Sequence, residues 1–212
     1  MRSRQIEVLP IAGSIGAEIH NVDVSEHLDE TTVAAIRKAL LDHCVIFFRN
    51  QKLDAERHKA FTRRFGSIFV HPNYQGMQAD PEIIVITREP GDKKIVGEEW
   101  HTETIVMAEP PMGAIHYAIE VPPYGGDTLF ANQYQAYAAL SDGIKKMLES
   151  VRAVHSDRKV AGPQADKNAF RATISTHPVV VTHPETKRKL LYVNASYTMG
   201  FAGNRGGEPT AV

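Results

Sequence analysis

Two stretches in the first third of the chain carry apolar residues at helical spacing, three or four positions apart. This pattern predicts one helix over 30–44 and a second from Asp54 to about Phe65. Asp29 and Asp54 precede the first turns, where a carboxylate can accept a hydrogen bond from a free backbone N–H. The residues predicted to face the core are Val33, Ile36, Leu40, Leu41, Phe61 and Phe65.

Strand patterns predominate from about residue 66 onward. They are short continuous apolar runs, or runs in which apolar and polar residues alternate. A helix in two pieces interrupts them at 132–151, with Ser141 as the predicted cap of the second piece and an apolar stripe that includes Ile144 and Met147. The predicted strands lie within 6–24 and at 45–48, 83–86, 99–106, 113–120, 127–130, 179–181 and 190–193. Many short strands with few helices indicate a β-sandwich or jelly roll with flanking helices.

Composition and charge narrow the range of functions. The chain has 212 residues and a net charge of −1, with no run of like charges, so neither a nucleic-acid surface nor a membrane-binding face is expected. No window approaches 18 uninterrupted apolar residues, and the N-terminus lacks the apolar core of a signal peptide. Cys44 is the single cysteine, and its apolar surroundings predict a buried hydrophobic residue. We therefore predict a cytoplasmic protein that acts on a small molecule.

The candidate chemistry lies at His101 and Glu103, which are two positions apart on a predicted strand. Residues i and i+2 of a strand share a face. An imidazole and a carboxylate on one face are two of the three ligands in the 2-His-1-carboxylate triad that binds Fe(II). By itself this spacing also occurs by chance on a polar surface strand. A zinc hydrolase built on the same pair is a weaker alternative, because the sequence offers no identifiable third ligand.

The sequence on both sides of His101 and Glu103 contains further recognisable motifs. From the predicted helix at 30 to about Phe201, the chain resembles the TauD/TfdA family of Fe(II)- and 2-oxoglutarate-dependent dioxygenases. The similarity rests on several motifs that follow the family's order and spacing. They are W-H-T-E at 100–103, P-P-M-G at 110–113, P-P-Y-G-G-D-T at 122–128, A-Y-A-A-L-S at 136–141, H-P-V-V at 177–180, H-P-E-T at 183–186 and L-Y-V-N at 191–194.

The resemblance implies a double-stranded β-helix, or jelly roll, of the clavaminate synthase-like type, with Fe(II) as cofactor and 2-oxoglutarate and O2 as co-substrates. His101 and Glu103 match the family's iron ligands. Thr128 matches a threonine that hydrogen-bonds 2-oxoglutarate, and His71 and Tyr74 match residues that hold the anionic group of the substrate. The implied reaction hydroxylates a small anionic compound of the sulfonate, sulfate ester or aryloxyalkanoate class and releases succinate and CO2. Family members often form homo-oligomers, which is expected here by analogy.

The chain departs from the family pattern in the rest of the site. Glu103 stands where the family usually has Asp, which keeps the charge and adds one methylene. The family's later W-D-N-R-x-x-x-H-like motif carries the distal iron-binding His, and an Arg further on pairs with 2-oxoglutarate. Neither feature has a counterpart here. Trp100 is the single Trp, so the chain contains no second motif of this kind, and Arg205 is not expected to replace the 2-oxoglutarate-binding Arg. The histidines not expected to replace the missing ligand are His116, His155, His177 and His183.

These departures lead to two further expectations. One domain is expected over 1–212, incomplete near 201–212, where the sequence passes from Phe201 directly to a Gly-rich tail. The alternative to a dioxygenase is a degenerate jelly-roll protein that binds a small ligand or a partner chain without redox chemistry.

Overall fold

The computed structural model describes residues 5–71, 76–89, 91–92, 97–159 and 172–203. Within them, eight β-strands accompany four α-helices, which confirms the expected class of short strands with some helices. The strands are β1 (Glu7–Pro10), β2 (Ala17–His20), β3 (Ile46–Phe47), β4 (Arg152–Ser156), β5 (Ile174–Pro178), β6 (Val180–Thr182), β7 (Lys189–Leu191) and β8 (Thr198–Phe201). The helices are α1 (Glu30–His43), α2 (Ala55–Arg63), α3 (Gln133–Ala138) and α4 (Asp142–Leu148).

The chain forms two compact units. The first consists of Met1–Val85 and Ile115–Asn132. In it, β2 pairs antiparallel with β1 and parallel with β3. A small core forms around Val24, Ile36 and Phe61. The Phe61 ring meets the ring of Phe48 edge-on at 5.6 Å and that of Phe65 at 5.3 Å, an arrangement that aromatic pairs favour.

The two helices of the first unit begin where the sequence predicts. The Asp29 side chain accepts from the backbone N–H of Thr32 at 2.7 Å, and Asp54 accepts from that of Arg57 at 2.8 Å. Both caps are therefore confirmed. Helix α1 ends at Cys44, whose φ of 67° lies in the left-handed region and whose N–H donates to the Leu40 carbonyl at 2.8 Å. Cys44 caps a helix and is only partly buried, which corrects the prediction that it is a buried hydrophobic residue.

The second unit consists of Ile86–Ala114 and Gln133–Val212. Strand β4 is the centre of a three-stranded antiparallel sheet in the order β5-β4-β8, and β6 and β7 form the predicted hairpin. The predicted cap of α4 is also confirmed, because the Ser141 hydroxyl accepts from the N–H of Ile144 at 3.4 Å. The predicted inward stripe of α4, which also included Leu148 and Val151, is only partly observed. Ile144 and Met147 are exposed, whereas Leu148 and Val151 are half-buried.

Besides the segment 99–106, three predicted strands are absent from the described residues. The segments 83–86, 113–120 and 127–130 form no ladder with another strand. Their apolar side chains are largely exposed, with Ile119 at 84%. An apolar run becomes a strand only where a neighbour satisfies its backbone N–H and C=O groups, and no described strand lies beside these segments. No helix in the described parts of the chain is both long and apolar enough to cross a membrane.

Candidate functional site

The segment that carries His101 and Glu103 is a turn, which corrects the prediction of a strand over 99–106. Thr104 has a φ of +50°, and the N–H of Met107 donates to the Thr104 carbonyl at 3.0 Å. A residue in the left-handed region reverses the direction of an extended chain, so the strand cannot continue past Glu103. Thr104, Ile105 and Val106 are buried, which fixes the turn at its C-terminal side.

The two predicted iron ligands lie side by side at the start of this turn. Nε2 of His101 lies 3.3 Å from Oε1 of Glu103. Nδ1 of His101 lies 2.8 Å from the carbonyl oxygen of Glu99. A carbonyl oxygen only accepts, so Nδ1 carries the hydrogen. In the neutral imidazole the lone pair is therefore on Nε2, beside the carboxylate, and an Nδ1–H bond to a backbone carbonyl orients metal-binding histidines in this way.

The electrostatics of the pair favour a bound cation. The hydrogen bond to Glu103 raises the pKa of His101 above its ordinary value, burial opposes this, and the bond to the Glu99 carbonyl adds to the rise. The two side chains remain partly accessible, at 28% for His101 and 47% for Glu103. A proton and a metal ion would compete for the position between the two groups, so metal binding there depends on pH.

Three further contacts lie next to the pair. The N–H of Ser196 donates to the carbonyl of Trp100 at 3.2 Å, and the ring of Tyr197 meets the His101 ring edge-on with centroids 6.5 Å apart. Gly97 has a φ of +78°, and a Cβ there would lie 3.4 Å from Cε1 of His101. Glycine thus leaves the edge of the ring next to Nε2 uncovered.

The other predicted site residues belong to the first unit. Thr128 is exposed and lies in an irregular segment after Gly125 and Gly126, both of which have a positive φ. His71 is half-buried, and its ring contacts that of Phe69 with centroids 6.0 Å apart. Tyr74 lies outside the described residues. The structure thus places His101 and Glu103 in contact within the second unit. Thr128 and His71 belong to the first unit.

The described residues bring together one imidazole and one carboxylate, two of the side-chain types found in a facial triad. The part of the chain that the structure describes contains no group of three His, Cys, Asp or Glu side chains arranged to hold a metal. Within the second unit, His177 bonds backbone carbonyls, His155 is fully buried, and Nδ1 of His183 accepts from the N–H groups of its own turn. One neutral imidazole nitrogen and one carboxylate oxygen would fit two positions around Fe(II).

Comparison with known proteins decides the family. The sequence profile of the family described as "Taurine catabolism dioxygenase TauD, TfdA family" matches residues 7–212. The chain belongs to the TauD/TfdA family. It is 34% identical over 203 residues to an alkylsulfatase from Acinetobacter baylyi, a match that covers 89% of the chain and 63% of that protein. It is 32% identical over 200 residues to an alpha-ketoglutarate-dependent sulfate ester dioxygenase from Pseudomonas putida, which covers 88% of the chain and 65% of that protein.

A solved structure supports the same assignment of this TauD/TfdA-family chain. It is similar to a taurine dioxygenase from Burkholderia xenovorans, with a TM-score of 0.75 and 32% identity over 97% of this chain and 68% of that one. The two curated relatives extend further, since the chain spans less than two thirds of the length of each.

Proposed function

We propose that the protein is an Fe(II)- and 2-oxoglutarate-dependent dioxygenase that hydroxylates a small anionic organic compound. The observation that carries this proposal is the geometry of His101, whose Nε2 lone pair is oriented by Glu99 and faces the Glu103 carboxylate. Family membership supports the same chemistry, because the family is described as one of dioxygenases. The proposal includes the jelly-roll fold, a cytoplasmic location and a homo-oligomeric state.

In this proposal His101 and Glu103 bind the metal ion, and the third protein ligand lies outside the described residues. When bound, the iron supplies the activation of O2, with 2-oxoglutarate as the source of two electrons and succinate and CO2 as its products. The Glu99 carbonyl keeps Nδ1 protonated, so that Nε2 is available as a ligand. Partial exposure of both side chains leaves room for co-substrates beside them.

The substrate is proposed to be a sulfate ester, a sulfonate or an aryloxyalkanoate. The relative named as a sulfate ester dioxygenase and the similar taurine dioxygenase structure support an anionic sulfur compound. His71 and Tyr74 are proposed to hold the anionic group, because both side chains can donate a hydrogen bond to it. Thr128 is proposed to donate its hydroxyl hydrogen to 2-oxoglutarate.

Succinate formation tests the proposal. The purified protein is incubated with Fe(II), 2-oxoglutarate, O2 and in turn an alkyl sulfate, an alkyl sulfonate and a phenoxyalkanoate. We expect succinate in an amount that matches the hydroxylated or cleaved product, and none for His101→Ala. Absence of succinate from all three substrates, together with absence of iron binding, would contradict the proposed function and favour a binding protein without redox chemistry.

A further inference from the structure

Strand β5 binds the backbone directly after the metal-ligand turn. The Ser175 hydroxyl donates to the carbonyl of Ile105 at 2.8 Å. Nε2 of His177 lies 2.9 Å from the same carbonyl oxygen and 3.0 Å from that of Met107. Because both partners are carbonyl oxygens, Nε2 of His177 must carry a hydrogen and donate it. Two side chains of one strand thus bind the chain two and four residues beyond Glu103.

Ser175 and His177 point the same way because they are two positions apart on β5. Ser175 is buried, whereas Ile174 and Thr176 on either side of it are exposed. Strand β5 is itself fixed along its length to β4, where Ser175 pairs with His155 and His177 pairs with Ala153. The hydroxyl and the imidazole are therefore presented by a paired strand, which restricts their movement.

A second contact holds the other side of the turn. The N–H of Ser196, just before β8, donates to the carbonyl of Trp100 at 3.2 Å. Strands β5 and β8 are the two outer strands of the same sheet. His101 and Glu103 therefore lie between one contact at Trp100, made from just before β8, and another at Ile105, made from β5. Between these contacts the turn consists of only four residues.

We propose that Ser175 and His177 are positioning residues that hold Glu103 in register with His101 for metal binding. This inference rests on the proposed function. Without the two bonds, the buried carbonyl of Ile105 would lose these partners, and the turn that starts at Thr104 would be less restrained on its C-terminal side. The carboxylate of Glu103 would then sample positions away from Nε2 of His101, at the cost of metal affinity rather than of the fold.

Two buried serines of the same sheet provide a matched test. Ser175→Ala removes a hydroxyl that bonds the turn, and Ser156→Ala removes one on β4 that accepts from the backbone N–H of Arg158. Ser175 is 8% exposed and Ser156 is 3% exposed, so the two substitutions create similar changes in a similar environment. Trp100 is the only tryptophan of the chain and directly precedes His101, so its fluorescence reports on the turn.

We expect time-resolved anisotropy of Trp100 in the metal-free full chain to show a larger fast component in Ser175→Ala than in wild type. The dissociation constant for Co(II), measured by quenching of Trp100, should rise about threefold to tenfold in Ser175→Ala, the effect of losing one neutral hydrogen bond. Ser156→Ala should match wild type in both measurements. His177→Leu should weaken Co(II) binding more than His177→Gln, which keeps an N–H donor.

Other outcomes overturn the inference. Equal Trp100 anisotropy and equal Co(II) affinity in Ser175→Ala and Ser156→Ala would contradict a positioning role, and so would a change in Trp100 motion without a change in affinity. If wild type itself binds no Co(II), the proposed function fails. The role of β5 in holding the turn is then tested by the Trp100 anisotropy of the metal-free protein alone. Equal anisotropy in Ser175→Ala and Ser156→Ala would refute that role.

Discussion

Nε2 of His101 and Oε1 of Glu103 lie 3.3 Å apart across a turn, with Nδ1 of the imidazole bonded to a backbone carbonyl. A second pair at the same spacing shows that this distance alone does not make a metal site. Glu18 and His20 lie 3.1 Å apart on β2, but Nε of Arg49 binds the Glu18 carboxylate at 2.8 Å. That hydrogen bond lowers the pKa of Glu18. The Arg49 guanidinium is thus the cation that the Glu18 carboxylate binds.

The two pairs provide a test of the ligand assignment. We expect His101→Ala and Glu103→Ala to abolish iron binding and activity, because each removes one of two donors. Glu103→Asp should retain or raise activity, since it keeps the carboxylate. His20→Ala is the matched control and should leave iron affinity unchanged. The measurement is equilibrium iron binding by each purified variant, and unchanged affinity in Glu103→Ala would remove that residue from the site.

His155 is predicted to make the protein sensitive to acid. Its side chain is fully buried, and burial together with the nearby His177 lowers the pKa of His155 to about 4. The unfolded chain then binds more protons than the folded one between about pH 6.5 and pH 4, so stability is complete above this window and falls as the pH is lowered through it. We expect a loss of about 2 kcal/mol in the free energy of unfolding between pH 7.5 and pH 5 from this residue.

The control for this prediction is His155→Gln, which keeps a polar side chain and does not titrate. Urea unfolding of wild type and variant at both pH values isolates the histidine, because all other groups are common to the two proteins. An equal loss of stability in both proteins on acidification would contradict the assignment.

The cap of α1 is predicted to contribute to stability without affecting the site. Asp29→Ala removes the acceptor of the Thr32 N–H and should lower the free energy of unfolding by about 1 kcal/mol. Asp42, which forms an exposed ion pair with Lys38 on the same helix, provides the comparison. Asp42→Ala should cost less than about 0.5 kcal/mol. Denaturant unfolding measures both, and a larger loss for Asp42→Ala would argue against the cap.

His71 is predicted to affect substrate binding more than the oxidation of 2-oxoglutarate. His71→Ala should raise KM for an anionic substrate about tenfold, the effect of losing one charge-assisted hydrogen bond. Consumption of 2-oxoglutarate without substrate should change little, because His71 is not proposed to touch the iron. Steady-state kinetics with and without substrate separates the two quantities. A fall in both rates with unchanged KM would place His71 outside the substrate site.

The sequence predicted those features that depend on local chemistry. Caps at Asp29, Asp54 and Ser141 were located correctly, because a cap needs only its own side chain and the next turn. The strands at 113–120 and 127–130 were wrong, because pairing depends on neighbours that the sequence pattern does not specify. At the site, the proximity of His101 and Glu103 was predicted correctly, but from a strand. A left-handed Thr104 ends the extended segment directly after Glu103, and β-branched residues give no sequence signal for that conformation.

The most direct measurement of the central claim is anaerobic absorption spectroscopy of the purified protein with Fe(II) and 2-oxoglutarate. If His101 and Glu103 hold iron together with the co-substrate, a visible metal-to-ligand charge-transfer band should appear with wild type and with Glu103→Asp, and should be absent from His101→Ala. Absence of the band from wild type at saturating Fe(II) and 2-oxoglutarate would contradict the account.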